Sequence, residues 1–308
     1  MHIAVRACDM REDIKMETKG KKKYRLTGWS MVAIAAALVL IFSYVPMIQA
    51  FILSLKTGKG AALHFAGFAN YIRMFKDATF WTTMGNTLLY AVVQLPVMLL
   101  AALVIAVLLN DPKMKMRGVY RTCIFLPCVT SLVSYSILFK NLFAVDGIVN
   151  QVLLKLNIVD KAIPFVLDAG WAKAVIVIAL IWRYTGYYMI FYLSALQNID
   201  KSVYEAAKMD GCNFFQSFFK ITVPLLKPIV FLTSIMALNT TLQLFDEVVN
   251  LTGGGPGNAT RTISQYIYDL SFNYVPSYGY SAAISYVVLV LVIILTIVQK
   301  GITGSKDE

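Results

Sequence analysis

Two groups of polar and aromatic residues stand inside long apolar runs. In the first, Arg183 lies among Trp182, Tyr184, Tyr187 and Tyr188; in the second, Asn239, Thr240, Thr241 and Gln243 are followed by Phe245, Asp246 and Glu247. A polar group at membrane depth is costly, so each is a candidate for function. Amides and hydroxyls complement the hydroxyls of a neutral polyhydroxylated solute, and Trp or Tyr rings can cover its C–H face. Trp182, Tyr187, Tyr188, Asn239, Thr241, Gln243, Phe245 and Asp246 are therefore candidates for lining a substrate pathway. The same residue types also bond helices together or form the aromatic belt at a membrane surface. For Arg183 two partners stay open: an acidic group of a neighbouring subunit, or a carbonyl.

Other chemistries lack their residues. His2 and His64 are the only histidines and lie far apart, so no nucleophile–base pair stands out. Cys8, Cys123, Cys128 and Cys212 have no metal-ligand spacing and read as free thiols. No GxxxxGK[ST] sequence is present, so the chain is expected to bind no cofactor and to hydrolyse no ATP. The net charge of +11 comes without a nucleic-acid-binding pattern. Lys and Arg gather in the cytoplasmic loops of membrane proteins, and that accounts for it.

The elements that would position these residues are membrane helices. The chain is 58% hydrophobic and only 15% charged, with a mean hydropathy of +0.66; soluble domains are about a quarter charged. Apolar runs near 29–54, 82–109, 122–143, 172–196, 229–250 and 281–299 are each close to the roughly 20 residues that cross a bilayer. Lipid-exposed backbone must satisfy its own hydrogen bonds, so the expected fold class is an all-α polytopic membrane protein of about six spans. Pro127 interrupts the third run. The basic residues Lys19, Lys21 to Lys23 and Arg25, Lys113 to Arg121, Lys201 to Lys227, and Lys300 with Lys306 place both termini inside. The expected organisation is a basic tail over 1–28, a transmembrane domain over 29–299 and a short tail over 300–308. The first run is too long for a signal-peptide core and is expected to remain.

Between the fourth and fifth runs lies a charged, aromatic insert, 200–224. Asp200 and Ser202 are N-cap candidates, and Ser202 with Glu205 has capping-box spacing. Gly211 can supply the left-handed residue that ends a helix. Asn213 and Gln216 can open a second helix, with Phe214, Phe215, Phe218 and Phe219 as its packing surface. Pro224 and Pro228 are expected to stop or redirect the chain. A lipid-resting amphipathic loop would carry Lys and Arg along its whole polar face. Glu205 and Asp210 interrupt that pattern, which favours docking to a protein.

Glu205-Ala206-Ala207, Asp210-Gly211, Phe218, Ile221 and Pro224 resemble the EAA loop of ABC importer permeases, with Cys212 where that family usually has Ala. In the family this loop is a coupling helix seated on a cytoplasmic ATPase. A second stretch, Leu251 to Tyr274, contains LTGGGP and resembles a signature of the carbohydrate-uptake branch, of maltose and glycerol-phosphate type. Read by itself, its glycine run is a turn at the outer surface, within an extracytoplasmic loop over 251–280. The resemblance covers about 70–299. It implies a type I permease fold in a bacterial inner membrane and half of a translocation pathway for a sugar or oligosaccharide. It also implies a separate ATPase that uses ATP and Mg, a second related permease, and an extracytoplasmic solute-binding protein. A stand-alone secondary transporter would show paired repeats and interrupted helices in both halves. Neither is evident, and the insert would be left without a role.

Overall fold

The computed structural model describes residues 28–60 and 62–304. Cys8, most of the N-terminal tail and residues 305–308 lie outside them. The architecture is almost wholly helical. α1 (Gly28–Ser54) contains a π-helical turn at Leu40–Tyr44. A hairpin follows, β1 (Lys56–Lys59) antiparallel to β2 (Ala62–Phe65), with Lys56 opposite Phe65. Next come α2 (Ala69–Phe75), α3 (Ala78–Asn110), α4 (Arg117–Val129), α5 (Leu132–Leu142), α6 (Ile148–Lys155) and α7 (Ala169–Gln197). The last part holds α8 (Lys201–Met209), α9 (Phe214–Leu225), α10 (Lys227–Leu242), α11 (Asp246–Leu251), α12 (Ile263–Tyr268) and α13 (Tyr278–Gly304).

α1, α3, α7 and α13 are each long and apolar enough to span a bilayer unaided. Two more spans are bent pairs: α4 and α5 meet at 97°, α9 and α10 at 70°. Counting each pair as one span gives the expected six. The third run is therefore broken as its proline suggested, but the break falls at Thr130–Ser131, after the proline. The run expected over 229–250 is interrupted as well. α10 stops at Leu242, and α11 restarts at Asp246. No glycine or proline marks that break.

α3 is the mast of the bundle. Its first turns pack Phe80 and Met84 with Met74 of α2, Ile263 and Tyr266 of α12, and Tyr280 of α13. Its middle buries Tyr90 against Tyr135, Phe139, Val175 and Leu180. Its second half packs Met98 to Leu109 with Tyr188 to Leu196 of α7 and with Phe218, Leu226 and Leu242. α3 and α7 thus run in the same direction and pack directly on each other. Gly186 allows this packing: a Cβ there would lie 2.0 Å from the Ile124 carbonyl oxygen, so only glycine lets α7 touch α4.

Candidate functional site

The insert folds as two short helices around a glycine corner. Asp200 is the N-cap of α8, its carboxylate accepting the Ser202 N–H at 3.0 Å. The Ser202–Glu205 capping box does not form, because Asp200 already holds the cap and Ser202 lies inside the helix. That bond and the Ser202 hydroxyl hold the Asp200 carboxyl below its ordinary value. Gly211 has φ +78°. Its N–H donates to Lys208 O at 3.1 Å and the Cys212 N–H to Ala207 O at 2.9 Å, the paired bonds of a Schellman motif. Asn213 and Gln216 then cap α9 reciprocally, at 2.8 and 2.9 Å.

Of the eight residues of this pattern, Ala207 and Phe218 are buried and anchor the insert, and Ile221 is half-buried. Glu205, Ala206, Asp210, Gly211 and Pro224 face outward. Phe214, Phe215 and Phe219 are exposed rather than packed, because α9 turns a single edge, through Phe218, to the core. Pro224 does not end the helix. A π-helical turn at Phe218–Thr222 precedes it, and the chain bends only at Leu226. Tyr204 and Thr222 hydroxyls, 3.2 Å apart, tie α8 to α9.

The polar residues within the spans separate into three places. Tyr188 and Thr241 meet around a narrow internal cavity of about 10 Å³, also lined by Gln94, Met98, Tyr184 and Thr240, room for roughly one water. Thr241 donates to the Gln94 carbonyl oxygen at 3.1 Å, while the Gln94 amide nitrogen has only the Met98 sulfur, at 3.2 Å. Trp182 lies on another face of α7, in an aromatic wall with Tyr135 and Phe139. Tyr187 packs edge-on against Tyr188 and Phe191. Asn239 is half-buried in α10. Gln243 and Asp246 stand exposed at the two sides of the break, and Phe245 packs on Tyr268 with ring centroids 4.9 Å apart.

Arg183 reaches carbonyls, those of Thr130 at 3.0 Å and Pro127 at 3.5 Å. Its guanidinium also lies 4.4 Å from the centre of the Tyr135 ring.

The glycine-rich stretch is more than a surface turn. Gly253, Gly254 and Gly257 all have positive φ, but the residues after them turn back into the bundle. Thr260, Arg261 and Thr262 are buried. Asn86 of α3 donates to the carbonyls of Asn258 and Arg261, both at 3.0 Å, Tyr90 donates to Thr260 O, and the Ile263 N–H donates to Thr87. Arg261 forms a buried ion pair with Asp269. Nearby, Asp77 caps α3 and accepts the hydroxyls of Tyr266 at 2.5 Å and Tyr280 at 2.6 Å. Burial works against its charge, yet those two bonds and the α3 amides hold its carboxyl below its ordinary value. Sequence reasoning passed over Gln94, Asn86, Thr87 and Asp77. Their only signal was polarity in or beside the second apolar run. Among the described residues, Cys123, Cys128 and Cys212 are free thiols, and no cluster of metal-ligating side chains occurs.

Comparison with known proteins gives these features a family. The chain is 49% identical over 281 residues to the lactose transport system permease protein LacF of Rhizobium radiobacter, covering 91% of this chain and 94% of that one. It is 33% identical to the sulfoquinovosyl glycerol transport system permease protein SmoG of Agrobacterium fabrum, over 89% and 88% of the two chains. Against the trehalose/maltose transport system permease protein MalF of Thermococcus litoralis the identity is 32%, over 93% and 96%. A crystal structure of a bacterial ABC transporter that imports alginate has a chain of the same fold, with a TM-score of 0.82 at 22% identity, covering 93% of this chain and 98% of that one. The importer reading displaces the stand-alone secondary transporter. Residues 86–304 match the model of the binding-protein-dependent transport system inner membrane component, and the chain belongs to that family of membrane permeases.

Proposed function

We propose that this chain is one half of the translocation pathway of an ATP-driven importer for a disaccharide or short oligosaccharide, with a lactose-like sugar as the first candidate. The observation that carries the reading is the 49% identity, along nearly the whole of both chains, to a lactose permease. The other half is a second, related permease. ATP and Mg are used by a separate cytoplasmic ATPase, docked on the outward residues of α8 and the Gly211 corner. An extracytoplasmic binding protein delivers the sugar, and both termini face the cytoplasm. Thr240, Gln243 and Asp246, exposed at the break of the fifth span, suit a wall completed by the second permease. A cavity with room for about one water cannot hold a sugar, which fits a path formed between two chains.

The test is uptake of radiolabelled lactose, maltose and a monosaccharide by the native host with and without this chain. Loss of disaccharide uptake on deletion, restored by the chain in trans, is the expected result. Unchanged uptake of every sugar tried overturns the assignment of the substrate class.

A further inference from the structure

The two interrupted spans are joined through a single helix. The α4–α5 span breaks at Thr130–Ser131, and the fifth span breaks between Leu242 and Asp246. A helix break leaves backbone carbonyls without their usual partners. At the first break the Thr130 carbonyl accepts from Arg183 of α7 at 3.0 Å, while the Pro127 carbonyl is held mainly by the Thr130 hydroxyl at 2.7 Å, and the Arg183 guanidinium lies over Tyr135 of α5. The next residue along α7, Tyr184, donates its hydroxyl to Glu247 Oε1 at 3.0 Å. Glu247 is buried in the first turn of α11, directly past the second break. The carbonyl of Leu244, inside that break, is held from the other side by the Thr262 hydroxyl at 2.7 Å.

Consecutive helical residues project about 100° apart. Arg183 and Tyr184 therefore grip different neighbours from one point on one rod. A rotation or shift of α7 strains both grips at once. The rod continues toward the insert: α7 ends at Gln197 and α8 starts at Lys201. Arg183 sits fourteen residues before Gln197, which is about 21 Å along the axis. The Gly186 contact with α4 lies one turn away, where no side chain can cushion a movement. The Arg183 Nε and Tyr135 hydroxyl are buried without a hydrogen bond, so the junction has polar capacity that this arrangement does not use.

We propose that Arg183, Tyr184 and Glu247 are positioning residues that make the two broken spans move together, so that displacement of α8 by the ATPase opens both breaks in one step. The inference rests on the reading of α8 as the docking helix. The three side chains need not touch the sugar. They set where the flanking path residues, among them Gln243 and Asp246, come to stand.

The experiment uses the complete transporter, with its second permease, ATPase and binding protein, in proteoliposomes. Sugar delivered and ATP hydrolysed are measured in the same vesicles for Tyr184→Phe, Glu247→Gln, Arg183→Lys and the Tyr184→Phe/Glu247→Gln double variant. A residue that merely stabilises the fold lowers both quantities together. A positioning role lowers sugar moved per ATP by about fivefold or more, the lower range of energetic coupling between sites. The double variant should then match the single ones rather than multiply them. Unchanged stoichiometry in all variants, or multiplicative losses in the double, overturns the relay. Glu205→Lys is measured alongside for ATPase co-purification. If that variant retains its ATPase normally, the docking reading fails, whatever the stoichiometry of the relay variants.

Discussion

Gly211 is a residue whose type is set by backbone alone. Its φ of +78° is unfavourable for most side chains, yet a Cβ there would meet nothing within 4 Å. Gly211→Val should therefore add only conformational strain, about 1–3 kcal/mol. Asn tolerates the left-handed region, so Gly211→Asn should keep most function. ATPase co-purification and sugar-stimulated hydrolysis are expected to fall for Val and to persist for Asn. Equal behaviour of the two would mean that the corner has no conformational role. Asp77 offers a second test. Its carboxyl is held below its ordinary value when folded, so its stabilisation is complete above the ordinary value and is lost as pH falls through the lowered one. Purified protein should lose thermal stability below about pH 4, and Asp77→Asn should remove that part of the loss. The same change should destabilise by about 1–3 kcal/mol at neutral pH, since the two tyrosine hydroxyls lose a charged acceptor. The glycine corner was legible in the sequence, because Asp-Gly follows a short amphipathic stretch. The Asp77 cluster was not, because its tyrosines come from 189 and 203 residues further along.

Among the elements, the capped pair α8–α9 followed its sequence closely, because helix caps act over three or four residues. The cap itself went to Asp200 rather than to Ser202, and the aromatic residues of α9 did not all turn inward. Local spacing cannot say how much of a four-residue aromatic surface a neighbour will cover. The break in the fifth span was illegible for a related reason: its carbonyls are stabilised by Thr262 and Ser264 from a distant segment, not by a local breaker. That break is where a functional element is expected to act. Gln243→Ala should raise the sugar concentration needed for half-maximal uptake while leaving subunit assembly intact. Tyr188→Phe removes only a hydroxyl at the internal cavity and should alter uptake without the packing loss of a truncation. Transport kinetics at matched expression decide the matter. If neither variant differs from the parent chain, both side chains are bonds between helices.

At the scale of the whole molecule, hydropathy marked the apolar helices in their order, four of them long enough to span alone and two more as bent pairs, and the fold is a mostly helical membrane permease with one short hairpin. What hydropathy could not convey is which spans meet. α1 is exposed along most of its length and joins the bundle near its end, where Phe51 packs on Tyr286 and Tyr286 donates to Met47 O. The topology proposal is open to direct labelling. With the native cysteines replaced by serine, Gly257→Cys should react with a membrane-impermeant maleimide in intact cells. Asp210→Cys should react only after permeabilisation. Reaction of both from one side would refute the six-span arrangement with both termini inside.

The return of residues 258–263 onto α3 also has a meaning for how the chain is made. Asn86 waits for partners 172 and 175 residues later. At about 5–20 residues per second, a ribosome needs roughly 10–35 s to supply them. Through that interval the amide of Asn86 and the hydroxyl of Tyr90 are without the acceptors they finally use. The last fifth of the chain thus closes onto a helix that lies wholly in its second fifth. A truncated product ending before Asn258 would carry those unpaired groups indefinitely.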